Sequence, residues 1–212
     1  MRRHLLVRLF AVFVLAASGL LAVPAHAEDQ AADAFIKHLS SEMLHSIKTD
    51  PASQAGHVPA IIALVDAKLM PSVNFKRMTA SAVGPNWRQM TSEQQKRLQE
   101  EFKVLLVRTY AGALSQVGDV SIDVQPLRAA PDDKELLVRT KVKGRGEPIQ
   151  LDYRLEKTAG EGAGWRIYNL NIMGVWLVET YRSQFAQEIN AKGVDGLIAA
   201  LAERNKSNAK KG

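Results

Sequence analysis

Residues 164–185, GWRIYNLNIMGVWLVETYRSQF, contain the change from strand to helix that organises the rest of the chain. Its first half, Trp165 to Ile172, is rich in aromatic and branched residues and predicts a β-strand. At Met173-Gly174 the apolar spacing changes from two towards three or four, which predicts a helix from there to about Asn190. A strand that turns into a helix through one glycine places that helix at the corner of a sheet.

Arg182 lies within the apolar face of this predicted helix. On a helical wheel Val175, Val178, Arg182 and Phe185 share one arc. One interpretation is that the arginine stem covers apolar surface while its head pairs with a carboxylate. The other is that Arg182 reads an anion at the mouth of an apolar cavity, because a guanidinium fork suits phosphate.

The first 27 residues have the pattern of a secretory leader. Three arginines precede an apolar run at residues 9–23, which ends at the small-x-small sequence Ala25-His26-Ala27. The run is short for a membrane span. We therefore expect residues 1–27 to be a cleaved signal peptide, residues 28–205 to be a single domain and residues 206–212 to be a basic disordered tail.

The composition narrows the possible functions. Removal of the leader's three arginines lowers the formal charge from +6 to +3, which suits anionic lipid headgroups but is too weak to argue for nucleic acid. The chain contains no cysteine, so thiol chemistry, disulfides and cysteine metal sites are excluded. The apolar core must therefore stabilise the domain unaided.

The order of the elements predicts the fold class. Helical spacing and a Thr91-to-Gln94 capping box predict four early helices, at residues 33–47, 58–70, 72–83 and 91–116. Alternating apolar residues then predict strands ahead of the one at 165–172, at residues 120–124, 136–142 and 149–155. A last helix is predicted at residues 197–205. Helices followed by antiparallel strands indicate an α+β fold, with the N-terminal helices packed on a curved sheet.

The sequence contains little that could carry chemistry. His38 and His45 are two helical turns apart, too far to share a metal ion, and we expect no metal site. P-loop, GxGxxG, HExxH and GxSxG motifs do not occur. Asp152 is the one acid in the middle of a predicted strand, and alternation points it away from Leu151 and Tyr153. We therefore expect that the protein is not an enzyme.

An ordered set of residues along the chain resembles the MlaC family of periplasmic phospholipid-binding proteins, also known as toluene-tolerance auxiliary proteins. The resemblance covers essentially the whole chain after the leader. It rests on these residues: Phe75, Trp87, the segment 102–110 ending in Arg108-Thr-Tyr110, Leu151-Asp-Tyr-Arg154, Gly164-Trp165, Tyr168, Gly174-Val175, Tyr181-Arg-Ser-Gln-Phe185 and residues 193–198.

The resemblance implies an NTF2-like half-cone with C-terminal helices and a deep apolar pocket for acyl tails, the headgroup staying at the surface. It implies a bound phospholipid as cargo, with no cofactor, and docking at a membrane surface. The implied partners are an outer-membrane lipoprotein complex and an inner-membrane ABC transporter complex with an MCE-domain ring. Together with the apolar pattern, it predicts these lipid-binding residues: Phe75, Phe102, Leu106, Tyr110, Leu151, Tyr153, Ile172, Val175 and, as the anion reader, Arg182.

Three positions depart from the family pattern. The family usually has Asp at Asn169, an acid at Met173 and Ser at Trp176. We expect Trp176, beside the predicted corner, to shorten or cap the pocket. Two alternatives to a phospholipid carrier therefore remain open, namely a carrier of hopanoid or another apolar lipid, and a non-enzymatic periplasmic adaptor whose cone is filled with side chains.

Overall fold

The computed structural model describes residues 31–115, 120–130, 132–144, 146–158 and 163–209. The predicted signal peptide and the last three residues of the predicted tail lie outside the described residues. Within them, no helix combines the length and the apolar character that crossing a membrane requires.

The helical half begins the described chain, and local signals set its boundaries. Asp50 accepts a hydrogen bond from the Ser53 backbone N–H and Pro51 occupies the first turn of the second helix. Thr91 and Gln94 exchange hydrogen bonds as the capping box predicts. The predicted helix at residues 58–70 is divided into an α-helix and a π-helix. The elements are α1 (Ala32–Thr49), α2 (Pro51–Gln54), α3 (Val58–Leu64), the π-helix (Val65–Leu69), α4 (Phe75–Val83) and α5 (Ser92–Ser115).

The strands form one antiparallel five-stranded sheet in which sequence neighbours are also spatial neighbours. This arrangement confirms the predicted α+β fold. The strands are β1 (Ser121–Val124), β2 (Glu135–Lys143), β3 (Ile149–Lys157), β4 (Trp165–Ile172) and β5 (Val175–Trp176).

The chain does not pass directly from β4 into the last helix, so that prediction is wrong. Met173 and Gly174, with φ of 53° and 85°, form a two-residue hairpin turn that pairs Ile172 with Val175. A strand as short as β5 leaves no periodic pattern, and its apolar residues were therefore assigned to the helix.

The last helix, α6 (Leu177–Ala209), begins after β5 and is interrupted at Gly193, whose φ is 71°. The side-chain oxygen of Asn169 accepts a hydrogen bond of 3.2 Å from the Val178 backbone N–H in the first turn of α6. The helix continues through Lys206 to Ala209, and the prediction of disorder is therefore wrong for those four residues.

A bulge in β4 determines which side chains face the helices. Arg154 pairs with Asn169 but Leu155 pairs with Ile167, which leaves Tyr168 as an extra residue. The bulge reverses the alternation, because Ile167 and Leu170 then lie on the same face although they are three residues apart.

Buried apolar side chains form three separate clusters. The sheet cluster joins α1 to the inner face of β2, β3 and β4. The helical cluster joins α4, α5 and α6. A smaller third cluster joins α3 and the π-helix to α5. A domain usually has one contiguous core, so the space between these clusters needs an explanation.

Candidate functional site: an apolar cavity between three clusters

A cavity of about 270 Å³ lies where the three clusters meet. Tyr153 and Ile167 of the sheet cluster, Phe75 of the helical cluster, and Val65 and Val107 of the third cluster all contribute to its wall. The clusters are therefore separated by the cavity itself.

The cavity wall is almost entirely apolar. The other apolar residues that line it are Leu39, Met43, Leu44, Ile47, Leu69, Met70, Val73, Met78, Leu106, Ile122, Val142, Leu151, Leu170, Ile172 and Leu177. Polar side chains enter the wall at Ser40, Lys103, Tyr110 and Tyr153. An apolar cavity does not hold water favourably. An apolar guest would therefore fill this space more favourably than water does.

Most of the predicted lipid-binding residues lie in this wall. They are Phe75, Leu106, Tyr110, Leu151, Tyr153 and Ile172. Alternation along β3 and the register with β4 bring the strand members together, because Leu151 pairs with Ile172 and Tyr153 pairs with Leu170. Phe102, Val175 and Arg182 lie outside the cavity wall, which contradicts their predicted placement.

Phe102 belongs to the helical cluster instead. Its side chain is fully buried, with its ring centre 4.8 Å from that of Tyr181 and 5.0 Å from that of Phe185. On α5 the residues that face the cavity are Lys103, Leu106, Val107 and Tyr110, which recur at intervals of three and four. Phe102 lies at the edge of that arc and faces α6.

Val175 pairs with Ile172 but lies on the edge strand, where it is 49% exposed. Ile149 and Met173 are also exposed large apolar residues, at 42% and 70%. The pairing of Leu151 with Ile172 brings the start of β3 to the end of β4, so the three residues lie at the same end of the sheet. We call Ile149, Met173 and Val175 the apolar rim.

Trp176 does not cap the cavity, so that expectation is also wrong. It pairs with Asn171, which belongs to the opposite face of the sheet from Ile172. The guanidinium carbon of Arg154 lies 3.9 Å from the centre of the Trp176 ring. The indole therefore takes part in a cation–π contact on the outer face of the sheet.

Arg182 is exposed and is not at the cavity mouth. Its Nε donates a hydrogen bond of 3.0 Å to the carbonyl oxygen of Ser81 near the end of α4. It lines a separate pocket together with Arg77, Trp87 and Arg88. Among the described residues, its head bonds to a helix-end carbonyl and not to the predicted carboxylate, and it does not lie among the residues that line the cavity.

Tyr153 joins α1 to the sheet inside the cavity wall. Burial raises the pKa of Tyr153 to about 12, while hydrogen bonds with Ser40 and Thr140 act in the opposite direction. The hydroxyl is therefore neutral at ordinary pH and has partners on α1 and β2. A buried phenol that is hydrogen-bonded in this way is a structural group.

Sequence reasoning left out the contribution of α1 and of Lys103. Leu39, Met43 and Ile47 recur at helical spacing, and this stripe was available as a signal because an apolar helix face must cover something. Lys103 was not among the residues predicted to bind lipid. Its position three and four residues before Leu106 and Val107 was the signal for cavity lining.

The other candidate groups for chemistry lie away from the cavity. Asp152 is 3% exposed and accepts a hydrogen bond of 2.6 Å from the Gln150 side chain, on the face opposite Tyr153 as alternation predicted. Across the described ranges, no cluster of three or more His, Cys, Asp or Glu residues is arranged to hold a metal ion.

The antiparallel sheet, its covering helices and the space enclosed between them define an α+β cavity protein. The sequence profile of the MlaC protein family matches residues 37–203. The chain therefore belongs to the MlaC family, as its resemblance predicted.

Two curated relatives support this assignment. The toluene tolerance protein Ttg2D of Pseudomonas putida is 30% identical over 197 residues, which is 92% of this chain and 85% of that protein. The intermembrane phospholipid transport system binding protein MlaC of Haemophilus influenzae is 23% identical over 176 residues, or 82% of this chain and 78% of that protein.

A solved structure extends the likeness to the fold. It is the phospholipid-binding protein of Ralstonia solanacearum in complex with a phospholipid, which is 45% identical to this chain. The TM-score is 0.80, and the match covers 84% of this chain and 98% of that one.

Proposed function

We propose that this protein is a periplasmic phospholipid carrier that holds acyl tails in the cavity between the three clusters. The observation that carries the proposal is that cavity, whose wall is apolar and whose volume is about 270 Å³. The phospholipid bound to the Ralstonia solanacearum protein, at 45% identity, supports the choice of ligand.

A carrier of this kind needs no chemical step. Two acyl chains contain about 30 methylenes, and exposing them to water costs on the order of 24 kcal/mol at about 0.8 kcal/mol each. Unaided crossing of an aqueous compartment is therefore negligible. The cavity need only resemble the bilayer that the tails leave, since small differences in affinity then set the direction of handover.

The headgroup stays at the surface in this proposal. A phosphate buried without hydrogen-bond partners would be strongly destabilised, and the wall offers few polar side chains to receive it. Half-buried wall residues such as Leu106, Tyr110 and Ile172 contact both the cavity and solvent.

The proposed route runs between the two membranes. Export by the predicted signal peptide places the mature chain in the periplasm. There it receives and delivers lipid at an outer-membrane lipoprotein complex and an inner-membrane ABC transporter complex with an MCE-domain ring. The apolar rim suits transient docking at a membrane surface, because exposed apolar side chains commonly mark such contacts.

The deciding experiment is to purify the mature protein without detergent, extract it with organic solvent and identify the extract by mass spectrometry. About one phospholipid per chain is the expected result. Recovery of a hopanoid or another apolar lipid would support the cavity as a lipid site and would change the identity of the cargo. A folded protein that releases no lipid would favour the periplasmic adaptor and would contradict the carrier.

A further inference from the structure

Lys103 is the one charged residue among the described residues that line the cavity. Its Nζ lies 2.6 Å from Oδ1 of Asp66, and the two side chains are 23% and 44% exposed. The ion pair therefore lies at the solvent edge of an otherwise apolar space.

Helix geometry explains why the cation is there. Lys103 shares the cavity-facing arc of α5 with Leu106, Val107 and Tyr110. Its aliphatic stem can cover the wall while the ammonium stays near water, as long cationic side chains commonly do.

Asp66 reaches the same edge from an unusual segment. It belongs to the π-helix Val65–Leu69, whose Val65 and Leu69 line the cavity. Single π-helical turns are rare and are frequent at functional sites. Such a turn lets the segment contribute both to the cavity wall and, through Asp66, to the ion pair at its solvent edge.

The Lys103–Asp66 ion pair is suited to exchange of its carboxylate for another anion. Partly exposed ion pairs contribute little to stability, so Asp66 does not fix the ammonium in place. A phosphodiester shares one negative charge between two non-bridging oxygens, and lysine binds phosphate as a compact charge. We propose that Lys103 binds the phosphate of the cargo lipid at the cavity edge, exchanging Asp66 for the phosphate on loading and returning to Asp66 on release.

This inference rests on the proposed carrier function and makes two opposite predictions. Lys103→Met keeps the apolar stem and removes the charge, so it should weaken loading of a phospholipid. Asp66→Asn removes the competing carboxylate, so it should strengthen loading of the same lipid. Lys96→Met, on an exposed position of the same helix, is the matched control and should leave phospholipid loading unchanged.

The test loads the delipidated mature protein from vesicles containing either phosphatidylglycerol or diacylglycerol with the same acyl chains, and native mass spectrometry measures the occupancy. For Lys103→Met we expect phosphatidylglycerol loading to fall roughly tenfold and diacylglycerol loading to stay unchanged. Excess inorganic phosphate should not compete, because the tails supply most of the affinity.

The outcomes distinguish a failure of the Lys103 inference from a failure of the proposed carrier function. Equal loss of both lipids in Lys103→Met would mean a damaged wall, and unchanged phosphatidylglycerol loading would mean no phosphate contact; either result overturns the inference alone. Displacement of phosphatidylglycerol by inorganic phosphate would identify a free-ion site instead. Failure of the wild type to load either lipid would overturn the carrier function as well.

Discussion

The Nε of Arg182 donates a hydrogen bond of 3.0 Å to the carbonyl oxygen of Ser81. Ser81 lies in the last turn of α4, where backbone carbonyls have no partner within their own helix. A cation at this end also interacts favourably with the helix dipole. The contact therefore ties α6 to α4, outside the cavity.

Arg182→Ala should lower the free energy of unfolding by about 1 kcal/mol, because it removes this hydrogen bond and the favourable charge. Urea denaturation measures the change, and Arg182→Lys should recover part of it. The lipid content of the purified variant should equal that of the wild type. A changed preference between anionic and zwitterionic lipids would contradict the assignment and return Arg182 to headgroup recognition.

Ile172 and Val175 form a matched pair for testing the cavity. They are register partners across β4 and β5, but Ile172 lines the cavity whereas Val175 is 49% exposed. Ile172→Asp should remove most bound lipid, because an unpaired carboxylate would face the acyl tails. Val175→Asp should keep it. Mass spectrometry of solvent extracts gives the occupancy, and circular dichroism confirms that both variants are folded.

A result in which Val175→Asp loses as much lipid as Ile172→Asp would contradict the assigned wall. It would mean that Val175 contacts the cargo in the loaded protein, as the sequence first predicted. Retention of lipid by both variants would show that the tails do not pass Ile172.

Periodicity predicted the order of the elements and much of the cavity. Leu151 and Tyr153 were placed together because strand alternation separates the two faces of a sheet cleanly, whereas Ile172 came from the family resemblance. The reversal at Tyr168 was not visible, because a bulge depends on pairing with a second strand. The fold class could therefore be derived from local patterns, whereas the detailed register could not.

The helices show a second limit of prediction from sequence. Phe102 and Leu106 are four residues apart and were both predicted to bind lipid, yet Phe102 packs on α6 and Leu106 lines the cavity. An apolar helix face that is wide enough to contact two neighbours does not reveal in its own sequence where the boundary lies. The same ambiguity explains why Lys103 was not predicted to line the cavity.

Met173 carries backbone strain that can be relieved. Its φ of 53° lies in the left-handed region, which costs residues other than glycine about 1–2 kcal/mol, although asparagine tolerates it. Asn-Gly is also the preferred sequence for a two-residue hairpin turn of this kind. Met173→Asn should therefore raise the free energy of unfolding by about 1 kcal/mol, as measured by urea denaturation.

Met173→Ala is the control for this prediction, because it removes the exposed side chain without easing the backbone. We expect Met173→Ala to give no increase in the free energy of unfolding. If alanine stabilised the protein as much as asparagine, the benefit would come from removing a 70% exposed apolar group and not from the turn.

Tyr153 should make the protein sensitive to alkaline pH. Its pKa is raised to about 12 in the folded state, chiefly by burial, against about 10 in an unfolded chain. The unfolded state therefore releases this proton first as pH rises. The stabilising contribution is complete below about pH 10 and is lost between about pH 10 and 12, by about 3 kcal/mol at about 1.4 kcal/mol per pKa unit.

The comparison of wild type with Tyr153→Phe isolates this contribution, because the pKa values of Tyr110 and Tyr181 are also raised by burial and titrate in both proteins. Urea denaturation at about pH 8 and about pH 11.5 should show a steeper loss of stability in the wild type. Equal losses would mean that the Tyr153 hydroxyl is reached by water in the folded state. In that case the cavity wall would be wetter at Tyr153 and Ser40 than the burial of these two residues indicates.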